Sequence, residues 1–367
     1  MPLTAIHVSL DLPVSAKKGS MSKPGETAIL HANLPKNSRR TDPMKAVQIV
    51  ARGQCAFVDA PKPSLQPGSA IVKTLRLALC GSDVRHIHYL PDHRYPSAIG
   101  ETGHEMVGIV EAIDPTFDGG SVKPGDAVLC LAPDHRAMQE YYRAPIDRLL
   151  PIAPGTPLEH AVQAQQFGTV LFAAKFLPDL RGKTAAVIGQ GSAGLWFNLA
   201  LQRRKAAKII ALDLKAYRLA YSKTYGATHT LHNADGSTAD ALREINGGQL
   251  PDVVIEAAGE EESIRLAIEI ARENGFVLYF GVPRFETMDF PIFEYFWKSL
   301  TARSNVGTIQ EPNHASTRQA LQWISDGTVP VAPMITHTFK FEDVFEAYEL
   351  HRIQDEGAVK IVIDMEG

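Results

Sequence analysis

Three cysteines in 367 residues, Cys55, Cys80 and Cys130, are too few for a disulfide framework, and their odd number fits a reducing compartment. A cytoplasmic location is expected on that ground. No apolar run approaches the roughly 18 residues that a bilayer-crossing helix needs, so no membrane partner is expected. An excess of positive charge is also missing. The chain carries 37 basic and 41 acidic residues, a net −4, which disfavours a nucleic-acid backbone as the main partner. Fixed-period repeats and low-complexity tracts are absent. What remains is globular in composition, 45% hydrophobic and 21% charged. Its length predicts two or three domains with sizeable cores.

Residues 1–43 differ in character from the rest. They hold six basic and three acidic residues, a net +3, and sustain no period of 2 or 3.6. A charged start followed by an apolar core is lacking, so the stretch does not read as a secretory signal. A flexible extension is the expectation.

From Met44 to about Pro151 short β-rich runs alternate with Gly and Pro, as at Gln66-Pro-Gly and Lys123-Pro-Gly-Asp. That pattern predicts a small barrel or sandwich. Beyond about residue 165 the pattern changes. Apolar runs such as Thr184–Gly189, Lys208–Leu212 and Phe276–Gly281 alternate with stretches of helical period. Such alternation predicts βαβ units in a doubly wound parallel sheet, its strands buried on both faces. The fold class is therefore α/β, with a β-rich domain beside a Rossmann-type one.

The sharpest local motif is Gly189-Gln-Gly191-Ser-Ala-Gly194, placed after a strand and before a helix. Gly189 permits the tight turn, Gly191 lets the backbone approach a pyrophosphate, and Gly194 lets helix and strand pack closely. The helix start, with the backbone of Ser192 and Ala193, then offers free N–H groups and a positive dipole end. Asp213 closes the next strand 24 residues on, near the spacing of ~20 expected for the acid that accepts the adenosine ribose hydroxyls. A carboxylate there repels a 2′-phosphate, so NAD is favoured over NADP; the nearby Arg218 softens that preference.

A second group is Cys80-Gly-Ser82-Asp83 with Gly103-His104-Glu105. A thiolate, an imidazole and a carboxylate within 26 residues suit zinc. Spacing alone leaves open a small core cysteine and a structural histidine. Taken in order, however, C-G-S-D, G-H-E, the Gly125-Asp126 turn and the dinucleotide fingerprint resemble the zinc-dependent medium-chain dehydrogenase/reductase family, most of all its polyol, threonine and sugar dehydrogenase branch. The resemblance runs from about residue 44 to the C-terminus. It implies a GroES-like catalytic domain (44–166 and 311–367) interrupted by a Rossmann NAD-binding domain (167–310), with the active site in the cleft between them.

By position, the resemblance makes Cys80 and His104 ligands of one catalytic zinc and Glu105 a carboxylate that enters or leaves its shell. Ser82 becomes the hydroxyl that passes the substrate proton outward, and Asp83 the carboxylate that orients the ligand imidazole. Thr169 lies near the nicotinamide, and Lys360 near the pyrophosphate. A homo-oligomer is implied, with Phe276–Val282 as a candidate sheet edge. The reaction implied is hydride transfer between NAD and a secondary alcohol, polyol or sugar, or the matching carbonyl, with zinc polarising the oxygen. Two other readings stay open: a zinc-free reductase of activated double bonds or quinones, and a non-catalytic dinucleotide-binding protein.

The chain departs from the family in three places. Only Cys130 stands where a structural zinc needs four cysteines, so no structural zinc is expected. The third zinc ligand, usually Cys, Glu or Asp, aligns with Gln165, one register from Gln166; an amide oxygen is a neutral, weaker donor. Arg85 stands where the proton relay often ends in histidine, and arginine is not a base at neutral pH. His86 follows it. His86, His88, His93 and His135 read as solvated loop histidines.

Overall fold

The computed structural model describes residues 43–117, 122–132, 134–234, 237–308 and 310–366. The N-terminal extension, save Pro43, lies outside them. Among the described residues no helix is long and apolar enough to cross a membrane.

The apolar runs of the second half form a six-stranded parallel sheet. Its spatial order is His229–His232, Lys208–Asp213, Thr184–Ile188, Val253–Glu256, Phe276–Tyr279, Thr301–Ser304. Numbered along the chain, that is 3-2-1-4-5-6, the doubly wound order that opens a crevice where strand order reverses, beside the first strand. Thr184–Ile188 is buried along its whole length, as a central strand covered on both faces must be. Phe276–Tyr279 is an interior strand, flanked on both sides. The edges are His229–His232 and Thr301–Ser304, so the expectation of an edge at Phe276–Val282 is corrected. The sequence pattern marks a buried strand there but cannot say which strand has no outer neighbour.

The β-rich part is a mostly antiparallel sheet, ordered Ile335–Lys340, Lys360–Asp364, Ser69–Ala78, Glu105–Ile113, Ala127–Leu131, Leu149–Pro151, with Tyr141–Pro145 also paired to Ser69–Ala78. A hairpin of Pro43–Ala51 and Gln54–Pro61 stands beside it. Chain from both ends thus meets in one sheet: Lys360–Asp364 pairs antiparallel with Ser69–Ala78.

One apolar core joins the two sheets. Leu129 and Leu150 of the first belong to the same cluster as Val187, Ala211 and Ile255 of the second. The helix Ala164–Ala174 runs through this core and crosses the helix Ala315–Ser325 closely. A Cβ added at Gly168 would lie 2.5 Å from Thr317 Cα and Oγ1. Gly168→Ala must therefore push the two helices apart. It is expected to cost about 1–3 kcal/mol, as overpacking of a core does, and to lower turnover, because the same helix carries Gln166 and Thr169. Denaturant unfolding read beside a turnover assay checks this; unchanged stability would show that the crossing has slack.

Candidate active site

Cys80 follows the strand Ser69–Ala78 and caps the helix Gly81–His88, with extended backbone at φ −125°, ψ 156°. Asp83 fixes the corner. Its Oδ2 accepts from the Cys80 N–H at 2.8 Å and its Oδ1 from the Gly103 N–H at 3.3 Å. The same Oδ1 lies 4.0 Å from His104 Nδ1. One buried carboxylate thus holds both loops that bring the zinc-type side chains together.

Those side chains converge. Ligand atoms of Cys80, His104 and Glu105 all lie within 4.8 Å of one another, with His104 Nε2 4.0 Å from Glu105 Oε1. Glu105 Oε1 and His104 Nδ1 are buried without hydrogen-bond partners. Sulfur, nitrogen and oxygen donors gathered with unpaired buried atoms fit a zinc ion and would be costly without a cation. Burial pushes the Glu105 carboxyl up to about 8, against the pull of the Lys360 ammonium.

Lys360 is not where the resemblance placed it. It is fully buried, its Nζ 2.6 Å from Glu105 Oε2 and donating to Leu79 O at 2.8 Å. It holds the metal-type carboxylate rather than reaching a cofactor phosphate. The final strand turns that side chain toward Glu105, a direction the pattern GAVKIVI does not encode.

Of the two adjacent glutamines, Gln166 is the one that touches the cluster. Gln166 Nε2 lies 3.9 Å from Cys80 Sγ, and Gln166 Oε1 is buried without a partner. Among the described residues no hydrogen bond joins the Gln165 side chain to the cluster. A half-turn of the Gln166 amide about its terminal torsion exchanges its two ends, so its oxygen can face a cation. Thr169 sits one helical turn on, buried, its hydroxyl donating to Gln165 O at 3.1 Å.

Ser82 is buried with its Oγ unpartnered. A histidine group that the sequence reads as solvated loop residues packs against His104. His135 is half-buried with its ring centroid 4.5 Å from that of His104 and 5.1 Å from that of His86, so it is not a solvated loop residue. Burial, then the charges of its histidine neighbours, lowers its pKa to about 4. His86 Nδ1 meets Glu101 Oε1 at 2.9 Å. No motif marks His135; its left-handed backbone, φ 57°, turns it inward.

The glycine turn sits at the crevice of the parallel sheet. Gly189 has φ 88°, and a Cβ at Gly194 would fall 1.8 Å from Gly189 O, so both positions require glycine. A Cβ at Gly191 would meet only Arg218 Nη1, at 3.9 Å, which leaves open space over the helix start at Ser192 and Ala193. Arg218 is held there by Gln354 Oε1 and Ala358 O. Asp213 Oδ2 accepts from the Gln190 N–H at 2.6 Å and Oδ1 from the Lys215 N–H at 2.7 Å, so the acid borders the turn. Open space, free amide groups and a flanking acid fit a dinucleotide.

Comparison with known proteins agrees with this geometry. The alcohol dehydrogenase GroES-like domain matches residues 66–162, and the zinc-binding dehydrogenase domain matches residues 194–326. The chain is 26% identical over 366 residues to an alcohol dehydrogenase of Cupriavidus necator, covering 87% of this chain and 98% of that one. It is 24% identical over 351 residues to sorbitol dehydrogenase 2 of Saccharomyces cerevisiae, covering 87% and 97%. Among solved structures it is similar to an alcohol dehydrogenase from Thermus sp. ATN1, at 25% identity and TM-score 0.73, covering 88% and 99%. Two domain matches in the order the fold requires, and relatives matched along nearly their whole length, place this chain in the zinc-dependent medium-chain dehydrogenase/reductase family of alcohol dehydrogenases.

Proposed function

We propose that the protein oxidises a secondary alcohol, polyol or sugar with NAD, or reduces the matching carbonyl. The convergence of Cys80, His104 and Glu105 within 4.8 Å carries this reading. Cys80 and His104 would hold one zinc ion, with the Gln166 amide as a neutral third donor and Glu105 exchanging between the metal and Lys360. A thiolate with two neutral donors leaves the centre at net +1, a stronger electrophile but a less firmly held one than an all-anionic site. When bound, zinc supplies Lewis acidity toward the substrate oxygen and the nicotinamide supplies the hydride acceptor.

The chain's own residues do the rest. Ser82 Oγ, unpartnered and buried, takes the hydroxyl proton outward. His86 lies one turn along the same helix face, hydrogen-bonded to Glu101, and is the base that receives it. Lys360 pairs Glu105, which would act as a catalytic residue only while in contact with a bound metal. Thr169 would border the nicotinamide of a bound cofactor. Gly189, Gly191, Ser192, Ala193 and Gly194 would cradle the pyrophosphate, and Arg218 adds a cation beside Gly191. Asp213 takes the ribose hydroxyls, which favours NAD over NADP.

Residues 44–166 and 311–367 serve as the catalytic domain and 167–310 as the cofactor domain. The cysteines suit a cytoplasmic setting: burial pushes the Cys55 thiol up to about 12, and Cys130 higher still, so neither is a ready nucleophile. A homo-oligomer would form across the edge strand Thr301–Ser304. That strand is exposed throughout, and beside it the helix Ile292–Trp297 shows Ile292, Phe293, Phe296 and Trp297 to solvent. An unpaired edge next to an apolar helix suits a second copy of the chain.

The test is NADH formation by zinc-loaded protein against a panel of secondary alcohols and polyols. Turnover should appear with at least one of them, vanish on chelation and return with zinc. Turnover that survives complete metal removal would favour the zinc-free reductase.

A further inference from the structure

Arg85 occupies the position where a relay histidine was expected, and its surroundings show a different use. It lies three residues after Ser82 on the helix Gly81–His88, so the two side chains share a face. Its Nε donates to Pro283 O at 3.0 Å. Pro283 lies just beyond Phe276–Tyr279, at the carboxyl end of the parallel sheet, where open α/β sheets bind their ligands. The guanidinium therefore reaches from the β-rich part across to the cofactor part, beside the candidate catalytic hydroxyl.

Charged side chains of the neighbouring segments are paired with one another. Glu101 pairs with His86, Glu260 with Arg284 at 2.7 Å, Asp92 with Arg52 at 2.7 Å, and Glu349 with Arg352 at 2.5 Å. Arg284 is further engaged over the Tyr89 ring, at 5.6 Å. Arg85 is half-buried, yet among the described residues no carboxylate lies within ion-pair distance of it. One neutral carbonyl serves a group with five N–H donors. A guanidinium at the cleft with no carboxylate partner has N–H groups left to take an anion.

We propose that Arg85 binds a carboxylate or phosphate carried by the substrate, so that the site prefers acidic or phosphorylated polyols to neutral ones. This rests on the alcohol-oxidising reading of the same cleft. The guanidinium fork matches either anion through two parallel hydrogen bonds. The cofactor's own phosphates are provided for elsewhere. The glycine turn follows Thr184–Ile188, two strand spacings from Phe276–Tyr279, roughly 10 Å away, and Arg218 stands over it.

Binding decides the matter without needing turnover. Zinc-loaded protein with NADH, which cannot oxidise an alcohol, is titrated calorimetrically with glucitol, gluconate and glucitol 6-phosphate. At least one anionic ligand should bind about tenfold to a hundredfold tighter than glucitol. Comparing gluconate with the phosphate shows which anion the site takes. Arg85→Gln should erase the preference and Arg85→Lys keep part of it, while the dissociation constant of NADH stays within twofold. Equal binding of charged and neutral ligands would overturn the proposal, as would an Arg85→Gln effect on NADH in place of the polyol. Charge preference without any NAD-linked turnover would instead contradict only the proposed oxidation; oxidation of neutral polyols with indifference to charge would contradict only the role of Arg85.

Discussion

Cys80→Ser is expected to lower turnover by roughly a thousandfold or more, about 4 kcal/mol of lost electrophilic stabilisation, while NADH binds within twofold of the unaltered protein. The two effects separate because the two sites are built on different elements. Cys80 belongs to the corner between the strand Ser69–Ala78 and the helix Gly81–His88, whereas the glycine turn follows Thr184–Ile188. Serine keeps the volume and the cap geometry but is a poor zinc ligand at neutral pH, so bound zinc should fall with turnover. Tight NADH binding with no zinc and no turnover is the expected signature. Loss of NADH binding together with turnover would mean that the corner also shapes the cofactor cleft.

Lys360→Met should destabilise the metal-free protein increasingly as pH rises through about 8, where Glu105 ionises, by up to about 3–5 kcal/mol, the usual effect of removing one partner from a buried ion pair, and far less at lower pH, where the carboxyl takes a proton. Both members are fully buried, with Nζ 2.6 Å from Glu105 Oε2. Zinc offers the abandoned carboxylate another positive partner, so the loss should shrink when the variant is zinc-loaded. Combining it with Glu105→Gln should recover much of the stability, because no charge is then left unpaired. Denaturant unfolding of the three proteins, with and without zinc, checks this. A metal-free Lys360→Met variant as stable as the parent above pH 8 would show that the pair is not what holds Glu105.

Much of this was legible in the sequence for physical reasons that act locally. A buried parallel strand must be apolar on both faces, and a phosphate turn between strand and helix must have glycine where a Cβ would collide, as at Gly194. Cys80 and His104 each sit at a corner whose neighbours, Asp83 and Gly103, carry a recognisable pattern. What escaped depends on side-chain direction or on distant chain. Gln165 and Gln166 differ by about 100° around a helix, and composition cannot choose between them. Lys360 is basic in the expected place, yet its strand faces it inward to Glu105 rather than outward to a cofactor. His135 arrives from a loop with no motif, and its place against His104 follows from tertiary contact alone. The open edge at Thr301–Ser304 is likewise a property of the assembled sheet, since strand order is not written in any one strand.

The most direct measurement is the zinc X-ray absorption spectrum of the loaded protein and of Cys80→Ser. Binding at this corner gives one sulfur neighbour at about 2.3 Å with the remaining nitrogen and oxygen neighbours at about 2.0–2.2 Å, and the sulfur disappears in the variant. A spectrum without sulfur in the parent protein, or one unchanged by the substitution, would mean that the metal does not sit between Cys80 and His104.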